Sequence, residues 1–204
     1  VMTVRTINGA ISRAAALDVK NVRVAWRDSG ATAYSEVVVV RPGVSLYGGY
    51  SATFVRNVSS FPTLVARPDA YVVYAQNVFV ATTVDGFTIT NTGSLAGKQA
   101  IKTDTCSSGL TFSTNVVNSG SAATSSYAIR NDSSSSPTIS NNTINSGSGT
   151  DSYGIYNASF SSPTISNNTI NGGSGTNASY GIYSTSSSPT ISSNTISGGS
   201  SANG

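Results

Sequence analysis

The chain has 204 residues, of which only 9% are charged, and its 11 Lys and Arg against 8 Asp and Glu leave a formal net charge of +3. The cations are scattered, with no basic run and no aromatic residues interleaved with one, which argues against a nucleic-acid partner. No apolar run reaches the roughly 18 residues of a membrane span, and no basic-then-apolar leader is recognisable, so an exported protein is expected to have lost its signal already.

In chain order, the stretch TINGAISRAAAL comes first, at residues 6–17. Its apolar residues fall at 7, 10, 11, 14 and 17. This spacing predicts a short amphipathic helix, suited to covering the open end of a stack of strands. Strands are predicted at 22–25, 37–40 and 44–47, followed by an excursion from Gly48 to Phe61 before Leu64 resumes the regular chain.

From there the sequence repeats. SSPTISNNTI occurs at 135–144 and 161–170, and SSPTISSNTI at 187–196. Three apolar columns keep the register: Val84, Phe112, Ile139, Ile165 and Ile191; Ile89, Val117, Ile144, Ile170 and Ile196; and Val73, Ile101, Ile129, Ile155 and Ile182. Within a period the pattern is polar, apolar, polar, as in Thr138-Ile139-Ser140, so the Ile points one way and its neighbours the other. Strands this short have no core of their own. Stacked in parallel at about 4.8 Å, they bury one continuous Ile column, each Ile contributing about 1.5–3 kcal/mol.

With the usual crossover hand, the predicted fold is all-β: a right-handed parallel β-helix with three strands per rung and a short N-terminal capping helix. Residues 1–204 are expected to form one domain, with 1–70 as the cap and irregular first rungs and 71–204 as regular rungs of 26–28 residues. Asn142, Asn168 and Asn194 are expected to form a structural ladder at a corner that needs left-handed backbone, starting at Asn115 because Phe87 holds that place one rung earlier. No matching cap is visible at the C-terminal GGSSANG, which suggests a longer protein or an end that self-associates.

The order TINGAISRAAAL, SEVVVVRPGVSLYGGYSATF, VDGFTI and repeated NNTI resembles the secreted right-handed β-helix proteins of bacteria in the pectate-lyase-like superfamily. PGVSLYGGY and VDGFTI carry the specific part of this resemblance. It implies an exported or cell-surface protein whose relatives include polysaccharide-cleaving enzymes and non-catalytic adhesive modules, a choice that fold alone does not make.

The residues weigh on that choice. With no histidine, a Ser-His-Asp triad, a histidine base and histidine metal ligands are all excluded. Asp104 and Asp132 are expected to stack on neighbouring rungs beside Lys102 and Arg130. They are read as a neutralised charge patch, with a calcium site and a catalytic acid pair as alternatives. Tyr156 and Tyr183, flanked by Gly154 and Gly181, are expected outside and one above the other as a glycan platform. Outward columns at Thr83, Thr111, Thr138, Thr164 and Thr190 and at Ser113, Ser140, Ser166 and Ser192 leave an ice-binding surface as a further alternative. Cys106 is expected to be a small buried residue that forms no intrachain disulfide. The function expected is that of a non-catalytic structural or adhesive module that needs no cofactor and has a polysaccharide or cell-surface glycan as partner.

Overall fold

In the computed structural model, described for residues 5–202, the chain winds through three all-parallel sheets. The first sheet has seven strands: Asn21–Ala25, Ser45–Tyr50, Thr82–Asp85, Leu110–Ser113, Thr138–Ser140, Thr164–Ser166 and Thr190–Ser192. The second has six, from Thr63–Arg67 and Phe87–Asn91 through Val116–Asn118, Thr143–Asn145 and Thr169–Asn171 to Thr195–Ser197. The third has seven, from Val38–Val40 and Tyr71–Gln76 through Lys98–Asp104, Ser125–Asp132, Ser148–Asn157 and Ser174–Ser184 to Ser200–Ser201.

The three apolar columns pair as the repeat requires. Val84, Phe112, Ile139, Ile165 and Ile191 are register partners in the first sheet, and the column extends back through Leu46 to Val22. Val65 precedes Ile89 in the second. Inward side chains such as Ile101, Ile129, Ile144 and Ile165 are fully buried and belong to one continuous core.

Helix Ile7–Ala16 closes the N-terminal end, burying Ile7, Ile11 and Ala14 against that core. Thr6 caps it by accepting from the Gly9 amide. Glu36, far away in sequence, accepts from the Ile7 and Asn8 amides at 2.7 and 3.0 Å, placing a carboxylate on the positive end of the helix dipole. Leu17, read from the spacing as part of the apolar face, is instead the C-cap and is exposed.

Two further local readings are corrected. The left-handed residues of the asparagine corner are Thr114, Asn141, Asn167 and Ser193, one position before the ladder residues. The ladder asparagines themselves turn inward. Asn142 Oδ1 accepts from the Asn115 amide, Asn168 Oδ1 from Asn142 and Asn194 Oδ1 from Asn168, at 2.8–2.9 Å. The Nδ2 groups of Asn115, Asn142 and Asn168 donate to the next Oδ1, and those of Asn142 and Asn168 also reach carbonyls of the rung behind.

The second correction concerns Gly154 and Gly181, which point into the core. A Cβ on either would lie 2.6 or 2.3 Å from Ile170 or Ile196 Cγ2. Here the third-sheet strands break strict alternation: Ala128 and Ile129, like Gly154 and Ile155, are buried consecutively. A parallel ladder the sequence reading did not anticipate runs inside the same strands, from Thr103 to Asn131, Asn157 and Ser184.

Removing one ladder amide strips several buried groups of partners at once. Asn168→Ala leaves the buried Asn142 amide without its acceptor and takes a donor away from the Ile139 and Ser166 carbonyls, the latter keeping only the Asn141 amide. The expected loss is at least about 2 kcal/mol in urea denaturation, whereas a change of about 0.5 kcal/mol, typical of surface sites, would contradict the ladder's role.

Candidate functional site

The outer face of the third sheet gathers the chain's chemically distinctive side chains. Outward positions line up there in three columns. One column holds Tyr71, Gln99, Tyr127, Tyr153 and Tyr180; the next holds Tyr74, Lys102, Arg130, Tyr156 and Tyr183; the third pairs Gln76, Asp104 and Asp132.

Tyr156 and Tyr183 stack with ring centroids 5.4 Å apart and planes 15° from parallel. They form part of a larger array. Tyr127, Tyr153 and Tyr180 stack beside them at 5.0 and 5.5 Å, with interplanar angles of 7° and 10°. Across the two columns the rings meet edge to face, Tyr153 against Tyr156 at 5.1 Å and 75°. The inner column was missed in the sequence although its signal was there: Tyr127, Tyr153 and Tyr180 each lie two residues before a stacked Ile.

This stacking changes what the face offers. Rings stacked along a column cover one another's faces, so a ligand meets mainly ring edges and phenol hydroxyls. At the ribbon's N-terminal side a guanidinium lies against the rings: Arg130 Cζ is 5.2 Å from the Tyr127 centroid and 5.4 Å from that of Tyr156.

Asp104 and Asp132 are register partners on neighbouring rungs, as their spacing implied. Each carboxylate is engaged by a cation of its own strand. Asp104 lies 3.1 Å from Lys102 Nζ and accepts from the Tyr74 hydroxyl at 3.0 Å, while Asp132 accepts from Arg130 Nε at 2.6 Å. Elsewhere on the surface Asp85 pairs with Arg56 and accepts from Ser113, and Asp69 pairs with Arg67. Among the described residues no group of three or more His, Cys, Asp or Glu is placed to hold a metal ion.

The remaining candidates lie apart from this face. Thr83, Thr111, Thr138, Thr164 and Thr190 form an in-register column on the first sheet, beside Ser113, Ser140, Ser166 and Ser192. Asn142, Asn168 and Asn194 sit in the corner between the first and second sheets. Cys106 is buried, its Sγ 3.5 Å from the Ala75 carbonyl, and burial pushes its thiol pKa up.

A three-sided parallel solenoid with one tyrosine-rich outer face defines the class of protein. Residues 34–203 match the family described as periplasmic copper-binding protein (NosD), and the chain belongs to that family. A periplasmic family agrees with an exported protein, and among the described residues no helix is long and apolar enough to cross a membrane. No curated protein and no solved structure matches the chain.

Burial, reinforced by the hydrogen bond to Asp104, pushes the Tyr74 phenol up to about 12, and burial is likewise the main cause that raises Tyr153 and Tyr156. The folded state thus keeps these phenols protonated, while in the unfolded chain they ionise near pH 10. The stability they contribute is complete below about pH 10 and is lost as pH rises toward 12. Thermal melts between pH 8 and 12 should therefore fall more steeply for the native protein than for Tyr74→Phe or Tyr153→Phe. Equal slopes would contradict this coupling.

Proposed function

We propose that the chain is a non-catalytic module of an exported protein, acting in the periplasm or at the cell surface, that holds a polysaccharide or cell-surface glycan along its third face. The observation that carries this reading is the five-tyrosine ribbon, a rigid row of phenol edges and hydroxyls repeating at rung spacing along the helix axis. A polymer with hydroxyls along its length makes repeated weak contacts with such a row, and repetition turns these into useful affinity. The non-catalytic part rests on the carboxylates of this face: Asp104 and Asp132 are committed to Lys102 and Arg130 rather than held as a free acid and base across a cleft.

Copper, which the family's description names, does not fit the donors of this chain. Copper sites are built from imidazole and soft sulfur ligands. The chain has no histidine, its one cysteine is buried with a raised thiol pKa, and its one methionine, Met2, lies outside the described residues. Equilibrium dialysis against Cu(II), and against Cu(I) under reducing conditions, should leave the protein without stoichiometric metal. One tightly held copper per chain would overturn this conclusion.

The glycan reading is tested by incubation with a broad polysaccharide panel, scoring retention and released product together. Retention without product is expected, weakened roughly 10-fold, or about 1.4 kcal/mol, in Tyr156→Ala. Product release would make the protein an enzyme, and retention insensitive to both Tyr156→Ala and Tyr183→Ala would remove the ribbon from the binding surface.

A further inference from the structure

The most specific stretches of the sequence, PGVSLYGGY and VDGFTI, lie away from the tyrosine face, and the structure gives them a joint task. After strand Ser45–Tyr50 the chain leaves the rungs for residues 51–62 and folds back over the corner between the first and second sheets. Val58 anchors this excursion on two glycines with positive φ, Gly49 and Gly86. A Cβ on Gly49 would lie 2.7 Å from Val58 Cγ2 and one on Gly86 3.0 Å from it. Arg56 donates to the Gly48 carbonyl and pairs with Asp85, the Asn57 amide donates to the Gly49 carbonyl, and Phe61 packs edge-on against Trp26. The excursion is therefore a fixed wall rather than a loose loop.

Between this wall and the second sheet lies a groove of about 510 Å³, within the range typical of small-ligand sites. Its floor is one outward column crossing three rungs, Thr88, Val116 and Thr143, a length of about 10 Å. This column begins at Leu64 and continues as threonine at Thr169 and Thr195. Within that threonine run it is broken by Val116, which is 37% exposed in the groove. Pro62 adds a second apolar surface from the wall.

The polar groups lining the groove are uncharged; among the described residues no Asp, Glu, Lys or Arg lines it. Asn57 uses its Oδ1 to accept from Ser59 and Ser60, and its amide NH2 has no partner among the described residues. Across the floor, the side chain of Asn141 is exposed and likewise makes no hydrogen bond among the described residues.

We infer that this groove is a second binding site, separate from the tyrosine ribbon, and that it takes a short neutral oligosaccharide. Primary amides on either side pair with sugar hydroxyls, the Thr88 and Thr143 hydroxyls complete the polar contacts, and Val116 and Pro62 meet the C–H face of a ring. A charged glycan finds no counter-ion in the lining, and a peptide finds neither a free strand edge nor a deep apolar pocket.

The test is saturation-transfer NMR and calorimetry with neutral gluco-, xylo- and manno-oligosaccharides on the native chain and on Val116→Arg, Val116→Thr and Tyr156→Ala. Val116 is a surface strand position, and Val116→Thr merely continues the threonine column, so folding is preserved and is verified by circular dichroism. At least one neutral oligosaccharide is expected to bind, with binding abolished in Val116→Arg and weakened several-fold in Val116→Thr; the ribbon's weak contacts add up only along a polymer, so a short oligosaccharide is expected to keep its affinity in Tyr156→Ala. That last control separates this site from the ribbon. Binding lost in Tyr156→Ala but retained in Val116→Arg would overturn the groove while leaving the ribbon standing. Absence of binding by every neutral oligosaccharide would overturn it as well.

Discussion

Each rung of this protein has to satisfy the backbone groups at its corners without relying on water, and buried side-chain amides do it. Along one corner, each asparagine from Asn115 to Asn168 donates its backbone amide to the Oδ1 one rung on, and Phe87 joins by donating to Asn115. Inside the third sheet, Asn131 and Asn157 form a second buried line of a different kind, bonded side chain to side chain from rung to rung. A buried amide left without a partner costs about as much as a core methylene or two contribute, so both ladders fix the register as firmly as the Ile columns do. The outer faces inherit that register. Tyrosines stack face to face, and aspartates follow one another on neighbouring rungs, because the interior holds equivalent positions one above the next.

Charge is distributed in keeping with this plan. No charged side chain follows Asp151, so the last rungs depend wholly on apolar columns and amide ladders. The ion pairs on the earlier rungs form within the surface rather than across an open cleft. Lys102 with Asp104 and Arg130 with Asp132 each join outward positions two apart on one strand. These pairs neutralise the third face and leave it to the tyrosines, while the groove beside residues 51–62 is uncharged from the start. The two surfaces therefore differ in chemistry as well as in place.

Much of this was legible in the sequence because inward positions recur with a fixed period. Val84 to Ile191 and Ile89 to Ile196 could be read as columns, and so could the ladder from Asn115. The failures have local causes. In the Asn-Asn pairs, either residue suits a left-handed turn, and only the side-chain bonds show that Asn141 takes the turn while Asn142 takes the ladder. Strict alternation sends Gly154 outward, but alternation lapses there and Gly154 faces inward beside Ile155. Asn131 and Asn157 share the inward phase of Ile129 and Ile155, yet asparagine in a strand reads as surface. Glu36 caps the helix from 29 residues away, and the groove exists only because residues 51–62 fold back onto a corner formed later in the chain. Neither is a local pattern.

The central claim is that the corner amide ladder is a fixed part of the interior, and amide hydrogen exchange tests it most directly. The backbone amides of Asn115, Asn142 and Asn168 should be protected to the same degree as those of Ile139 and Ile144 in the adjoining strands. Exchange of these three amides at the rate of unprotected, solvent-exposed amides would contradict it.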